Sequence, residues 1–136
     1  MSEHSERKAI QTDHAPEPIG IYSQALKVGQ MVYLSGQIGL IPETGQLAGE
    51  DVLSQIRQVF LNLDNVARAS GGTLQDCVRF TVYLMDLGDF SLINEVMQEY
   101  LSPPYPARTT IEVSRLPKDA LVEVDAIMAL NTKLGI

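Results

Sequence analysis

Arg108 opens a strand-like run, Arg108–Val113, late in the chain. Fifteen residues on, a second strand-like run, Leu121–Leu130, carries Glu123 and Asp125. A guanidinium presents a planar fork that matches a carboxylate in two places. A glutamate beside it can orient water and move protons. Together these are the parts needed to hold a small carboxylic acid and work on it. The plainer reading of the same residues is a cross-strand ion pair of Arg108 with Glu112, Glu123 or Asp125, since such networks are common.

The elements that must position these groups follow from length and pattern. The chain has 136 residues, enough for one domain with a real core. Hydrophobic residues make up 45% and charged residues 20%, the usual balance of a globular protein. The net charge of −7 opposes broad binding of phosphate backbones, so no nucleic-acid partner is expected. Cys77 is the single cysteine, which excludes an intrachain disulfide and a cysteine-based zinc site. His4 and His14 have no ligand-like spacing, so no metal is expected. No apolar run approaches the roughly 18 residues of a membrane helix, and the N-terminus lacks an apolar leader segment. The expectation is a cytoplasmic protein.

Residues 1–13 are polar and are expected to form a flexible tail. Residues 14–130 read as one domain, and 131–136 as a C-terminal tail. Gln24–Val28, Gly29-Gln30 and Met31–Gln37 read as a hairpin. Over residues 51–70, Val52, Ile56, Val59, Leu63 and Val66 recur at helical steps, and Gly71-Gly72 ends the run. Cys77–Met85 alternates as a strand. Asp89 is placed to cap a second helix whose apolar face runs from Leu92 to Leu101. Ser102-Pro103-Pro104 ends it, and two strands follow around the turn Pro117–Asp119.

The order is therefore β-β-α-β-α-β-β, an α+β fold. A strand, a helix and a strand in succession imply a parallel pair, while the hairpins imply antiparallel ones. One mixed β-sheet with two helices packed on one face is expected. Strand parity then assigns faces. Val32, Leu34, Val78, Phe80, Val82, Leu84, Ile111, Val113, Val122, Val124 and Ala126 are assigned to the helices. Tyr33, Ser35, Arg79, Thr81, Tyr83, Arg108, Thr110, Glu112, Glu123 and Asp125 are assigned to the other face. That semi-polar face has no third helix to cover it. Burial against another copy of the chain is one reading, and a wet sheet face is the other.

Several ordered motifs carry a resemblance: Ala15-Pro16 with Ile19–Ala25, Val32–Ile38, Asp86 and Asp89-Phe90 with Asn94–Val96, Pro106–Val113, Arg115–Lys118 and Val122–Ile127. Taken together, from about Ala15 to Ile127, the chain resembles the Rid proteins, also called the YjgF family. The resemblance implies a chorismate-mutase-like fold and a homotrimer with clefts between subunits. It implies enamine/imine deaminase activity of the RidA type, hydrolysing 2-aminoacrylate-type enamines or their 2-imine tautomers to 2-keto acids and ammonia, with no metal or organic cofactor. It assigns Arg108 to the substrate carboxylate and Glu123 to the attacking water. Tyr22 matches a tyrosine lining the cleft, Ser35 and Gly36 the cleft wall, and Asn94 an asparagine on the second helix. Thr110 stands where many members have cysteine. The usual Gly-Pro-Tyr is Gly20-Ile21-Tyr22 here. A non-catalytic module binding a small ligand or a protein in the same intersubunit cleft is the alternative.

Overall fold

The computed structural model describes residues 6–130, so both tail expectations lie partly or wholly outside the described residues. Six strands form one sheet: β1 (Arg7–Ile10), β2 (Ala25–Val28), β3 (Met31–Ile38), β4 (Cys77–Leu84), β5 (Ala107–Glu112) and β6 (Val122–Ala129). Their spatial order is β1-β2-β3-β6-β4-β5. Every pairing is antiparallel except β4 with β5, which is parallel. Two helices, α1 (Val52–Ala69) and α2 (Phe90–Tyr100), supply the connections that a mixed sheet needs.

The architecture expected from the sequence is the one observed, with one strand more. Arg7–Ile10 lie within the stretch read as a loose tail, yet they pair with β2 from Arg7↔Val28 to Ile10↔Ala25. Only Ile10 of this strand is buried. A strand held mainly by backbone hydrogen bonds leaves little hydrophobic pattern to read.

Helix α1 starts where Asp51 accepts a hydrogen bond from the Ser54 amide at 2.9 Å. It ends at Ser70, after which Gly71 takes φ +105° and the Gly72 amide donates to Ala67 O. Its apolar face carries Ile56, Val59, Phe60, Leu63 and Val66, all fully buried. Phe60 meets Phe80 of β4 with ring centroids 5.9 Å apart. Asp89 precedes α2 but makes no side-chain cap. Asp86 instead accepts from the Gly88 amide at 2.8 Å, closing the turn that leads into the helix.

Two buried amides on α1 fix the segments that bear the site. Gln55 donates to Gly49 O and accepts from the Leu121 amide, both at 2.8 Å. Asn62 donates to Leu40 O at 2.9 Å. Each amide satisfies loop groups that would otherwise be orphaned beneath the surface. Leu121, just before β6 and two residues before Glu123, is thereby tied to the helix layer.

Parity fails in two places, and both are informative. A bulge between Cys77 and Arg79 shifts the register of β4 on β6. Cys77 turns inward and Val78 outward, 46% exposed, against the assignment of Val78 to the core. In β5 the assignment is inverted throughout. Arg108 pairs beside Phe80 and Thr110 beside Val82, on the helix side, while Ile111 pairs beside Tyr83 and is 41% exposed. Glu112 pairs beside Leu84 on that same side. The run Arg108–Val113 has one apolar and one polar alternation, and burying Ile111 is the default. An edge strand with one neighbour lets the polar set face the helices, provided those residues find partners there.

Candidate functional site

Two clusters gather the residues that the sequence singled out, one on each face of the sheet. The first centres on Arg108. Its Nη1 donates to Asn94 Oδ1 at 2.8 Å and lies 3.3 Å from Met97 Sδ. Its guanidinium carbon sits 5.0 Å from the centre of the Phe90 ring, within range of cation–π attraction. All three partners project from α2. The fork is thus held by an amide, a thioether and an aromatic ring rather than by a carboxylate.

The ion pairs among the described residues are Arg57 with Glu95 and Glu99, and Arg68 with Asp64. Arg108 has none. Burial pulls its pKa down from the ordinary arginine value, though a guanidinium stays charged in any protein. A half-buried cation without a counter-ion is an unbalanced charge. The cross-strand ion pair read from the residues alone is therefore absent for Arg108, and its remaining donors face a cavity of about 280 Å³. Asn94, Met97, Gln98, Leu101 and Tyr105 form much of its wall.

Thr110 lies two residues along on the same side of the sheet. Its Oγ1 is buried and has no hydrogen-bond partner.

The second cluster surrounds Glu123, which pairs across from Tyr83 on the face away from the helices. A bulge between Leu34 and Gln37 sets Ser35 and Gly36 opposite Asp125, and Gly36 lies against the Glu123 side chain. A Cβ on Gly36 would overlap Glu123 Oε2 and stand 3.0 Å from its Cδ. The absent side chain is what makes room for the carboxylate. Burial pushes the Glu123 pKa up, and the Asp125 charge pushes it the same way. Among the described residues no donor hydrogen-bonds to it. Asp125 accepts from Tyr83 Oη at 3.0 Å, which leaves Glu123 as the carboxylate without a partner.

Ser35 serves the neighbouring loop. Its Oγ donates to Ser23 O at 2.6 Å, and its amide donates to Gln24 O at 3.0 Å. Tyr22 is 47% exposed, and its hydroxyl accepts from the Ile19 amide at 3.2 Å. Its ring borders a recess shared with Ser35 and Tyr33. Ile21 beside it is fully exposed. Gln24 holds this loop from below: its amide donates to Thr12 O, Ala15 O and Pro16 O and accepts from the Thr12 amide.

The structure therefore brings Arg108 together with Asn94, and Glu123 together with Gly36, with Ser35 and Tyr22 beside them. It does not bring the two groups together. Parity placed Arg108 and Glu123 on one face; the β5 register puts them on opposite faces. Phe90, Met97 and Gln24 were missed as site residues. An aromatic exposed at a helix start was the available signal for Phe90, and none marked the other two.

A mixed six-stranded sheet with two helices on one face defines the class: an α+β protein, which carries an arginine free of any carboxylate partner and a desolvated glutamate. The chain matches the family model described as Endoribonuclease L-PSP over residues 12–130, and it belongs to that family, the Rid or YjgF family. It is 46% identical to a RutC family protein of Pyrococcus horikoshii over 89% of this chain and 96% of the relative. It is 41% identical to a 2-iminobutanoate/2-iminopropanoate deaminase of Dermatophagoides farinae, over 93% of this chain and 99% of the relative. Among solved structures it superposes on RidA from the Antarctic bacterium Psychrobacter sp. with a TM-score of 0.87. That likeness is at 49% identity over 90% of this chain and 99% of the other. No described helix is long and apolar enough to cross a membrane.

Proposed function

We propose that this chain hydrolyses reactive 2-enamine and 2-imine acids of the 2-aminoacrylate type to 2-keto acids and ammonia. The observation that carries the reading is the half-buried Arg108 guanidinium, which opens on a cavity and has no carboxylate of its own. A small 2-imino acid supplies that carboxylate. The name of the Dermatophagoides farinae relative, a 2-iminobutanoate/2-iminopropanoate deaminase, supports the same reading.

The site lies between copies of the chain. Arg108 of one copy holds the substrate carboxylate, and Glu123 of another orients water, because one copy presents these groups on opposite sides of its sheet. Closed oligomers are common, and the resemblance to the Rid family implies a trimer. Tyr22, Ser35 and Gly36 line the Glu123 side of the cleft, and Asn94 and Thr110 the Arg108 side. The setting is cytoplasmic, beside the pyridoxal-phosphate dehydratases that release such intermediates.

In the reaction Glu123 takes a proton from water as its oxygen bonds to C2 of the imine. The carbon–nitrogen π pair moves onto nitrogen and gives a carbinolamine. The proton passes to that nitrogen, the carbon–nitrogen bond breaks, and the hydroxyl proton is lost as C=O forms. Water and a 2-iminium carboxylate become a 2-keto carboxylate and ammonium. A raised Glu123 pKa makes it a better base. The substrate is already electrophilic, so positioning supplies much of what remains.

A coupled assay tests this. A pyridoxal-phosphate dehydratase generates 2-aminoacrylate, and keto-acid formation is followed with wild type and with Arg108→Ala. Wild type should accelerate release, and the folded variant should lose roughly tenfold to a hundredfold, as expected for a lost charge-assisted pair. No acceleration by wild type would sink the deaminase reading and leave a binding module. Equal acceleration by both would remove Arg108 from the site.

A further inference from the structure

Strand β6 alternates Val122, Glu123, Val124 and Asp125, and both valines are fully buried against the helices. Glu123 and Asp125 therefore emerge on the other face, two residues apart. Carboxylates that close can share a proton, and one that shares is only partly available as a base. Something must keep them apart if Glu123 is to act alone.

Tyr83 is placed to do so. In the ladder it stands directly across from Glu123, and Thr81 stands across from Asp125. Yet its hydroxyl passes its direct neighbour and donates to Asp125 Oδ2 at 3.0 Å. A diagonal of roughly 7–8 Å between strand positions suits the length of an aromatic side chain. Burial, and then Asp125 itself, push the phenol pKa up, so the hydroxyl keeps its proton and remains a donor. It is the one side chain that hydrogen-bonds to either carboxylate among the described residues.

No other group facing the pair takes that part. Arg79, further along β4, donates to Thr109 on β5 and forms no ion pair among the described residues. On β3, Tyr33 lies across from Ile127, and the Ser35 hydroxyl is engaged by Ser23 O. Glu17 and Tyr22 border the small cavity behind Gly36, and the Tyr22 hydroxyl bonds to the Ile19 amide. Arg7 shares the face from β1, with β2 and β3 between it and β6. The charge that pushes on Glu123 is that of Asp125.

We propose that Tyr83 is a positioning residue of the reaction: it holds Asp125 turned from Glu123, so that Glu123 stays a free base and the two carboxylates share no proton. The proposal rests on the deaminase reading for its kinetic arm. Without the hydroxyl, Asp125 is free to turn toward Glu123. The pair binds a proton more tightly once a donor that favoured its charged form is gone. Phenylalanine keeps the ring and loses only the oxygen, so the strand keeps its packing.

The test reads the base directly as well as through turnover. Protein isotopically labelled at its glutamate carboxyl carbons is titrated by NMR, and Glu123→Gln identifies the Glu123 signal. Keto-acid release from 2-aminoacrylate is followed from acid to alkaline pH with the generating dehydratase in excess. Tyr83→Phe should move both the Glu123 titration and the acidic limb of kcat/KM up by about half a pH unit or more. In an Asp125→Asn background the same change should move neither, because the partner through which Tyr83 acts is gone. A titration and a limb that both ignore Tyr83→Phe, with turnover intact, would overturn the role of Tyr83 and leave the deaminase reading standing. A shift that persists at full size in the Asp125→Asn background would overturn the route through Asp125. A Glu123 signal that moves as expected in a protein with no turnover in any form would uphold Tyr83 and sink the deaminase reading.

Discussion

Arg108 and Glu123 point to opposite sides of the same sheet. Arg108 stands beside Phe80 and Glu123 across from Tyr83, and Phe80 and Tyr83 are an odd number of residues apart on β4. In a β-sheet that separation reverses the face. No side-chain rotation brings the two groups around the backbone, so any chemistry that needs both needs two copies.

Subunit complementation follows directly. Arg108→Ala and Glu123→Gln should each keep no more than about a tenth of wild-type activity alone. Unfolded and refolded together as an equal mixture, they should regain about a quarter of wild-type activity, the random fraction of clefts in which both native residues meet. Activity that never rises above the two parents would argue that each copy works alone.

Gly36 should tolerate alanine structurally but not functionally. The new Cβ collides with the end of a flexible side chain, Glu123, and not with backbone. Stability should fall by under about 1 kcal/mol. Displacing the carboxylate should lower kcat by roughly 10²-fold, the scale of lost acid–base help. Denaturant melts paired with the deaminase assay separate the two effects.

Glu123 should cost stability at neutral pH. Its folded pKa lies above the ordinary 4.5, through burial first and Asp125 second. The folded state therefore holds the proton more tightly than the unfolded chain. The contribution is full below the unfolded pKa and is lost as pH rises through the folded one. Glu123→Gln should melt at a higher temperature than wild type near pH 7. That advantage should vanish well below 4.5. The same raised pKa should set the acidic limb of kcat/KM, and Asp125→Asn should move that limb to lower pH. An unchanged limb would mean that Glu123 is not the titrating base.

Gln24 should be among the costliest polar residues to remove. One buried amide serves Thr12, Ala15 and Pro16. Gln24→Ala strands these groups beneath the loop, and about 2–4 kcal/mol of stability should be lost. Activity should fall as well, because the same loop carries Tyr22. Urea unfolding of the variant measures the first effect, and KM for the imine measures the second.

Helix α1, the hairpin of β2 and β3, and the inward alternation of β6 were legible because each has one strongly apolar face. The same rule misassigned β5. There Ile111 and Val113 offered the only apolar parity, and the sequence does not record that α2 supplies Asn94, Met97 and Phe90 to receive Arg108. Val78 was misplaced by a bulge, which inserts an unpaired residue into the alternation without any change of residue type to mark it. β1 escaped because its hold on β2 is made by backbone groups that every residue has. The identities of Arg108, Glu123, Gly36 and Asn94 came from ordered motifs. Their division between two faces came only from register, a relation between distant segments.

Cys77 is the chain's single thiol, and burial pushes its pKa up to about 12. At working pH it is both sealed and protonated, so maleimides should pass it by. A cysteine placed at the fully exposed Ile21 would then take a fluorophore alone, without first stripping out the native residue. Because that loop carries Tyr22, the dye's colour and polarisation would record the moment another molecule settles over it.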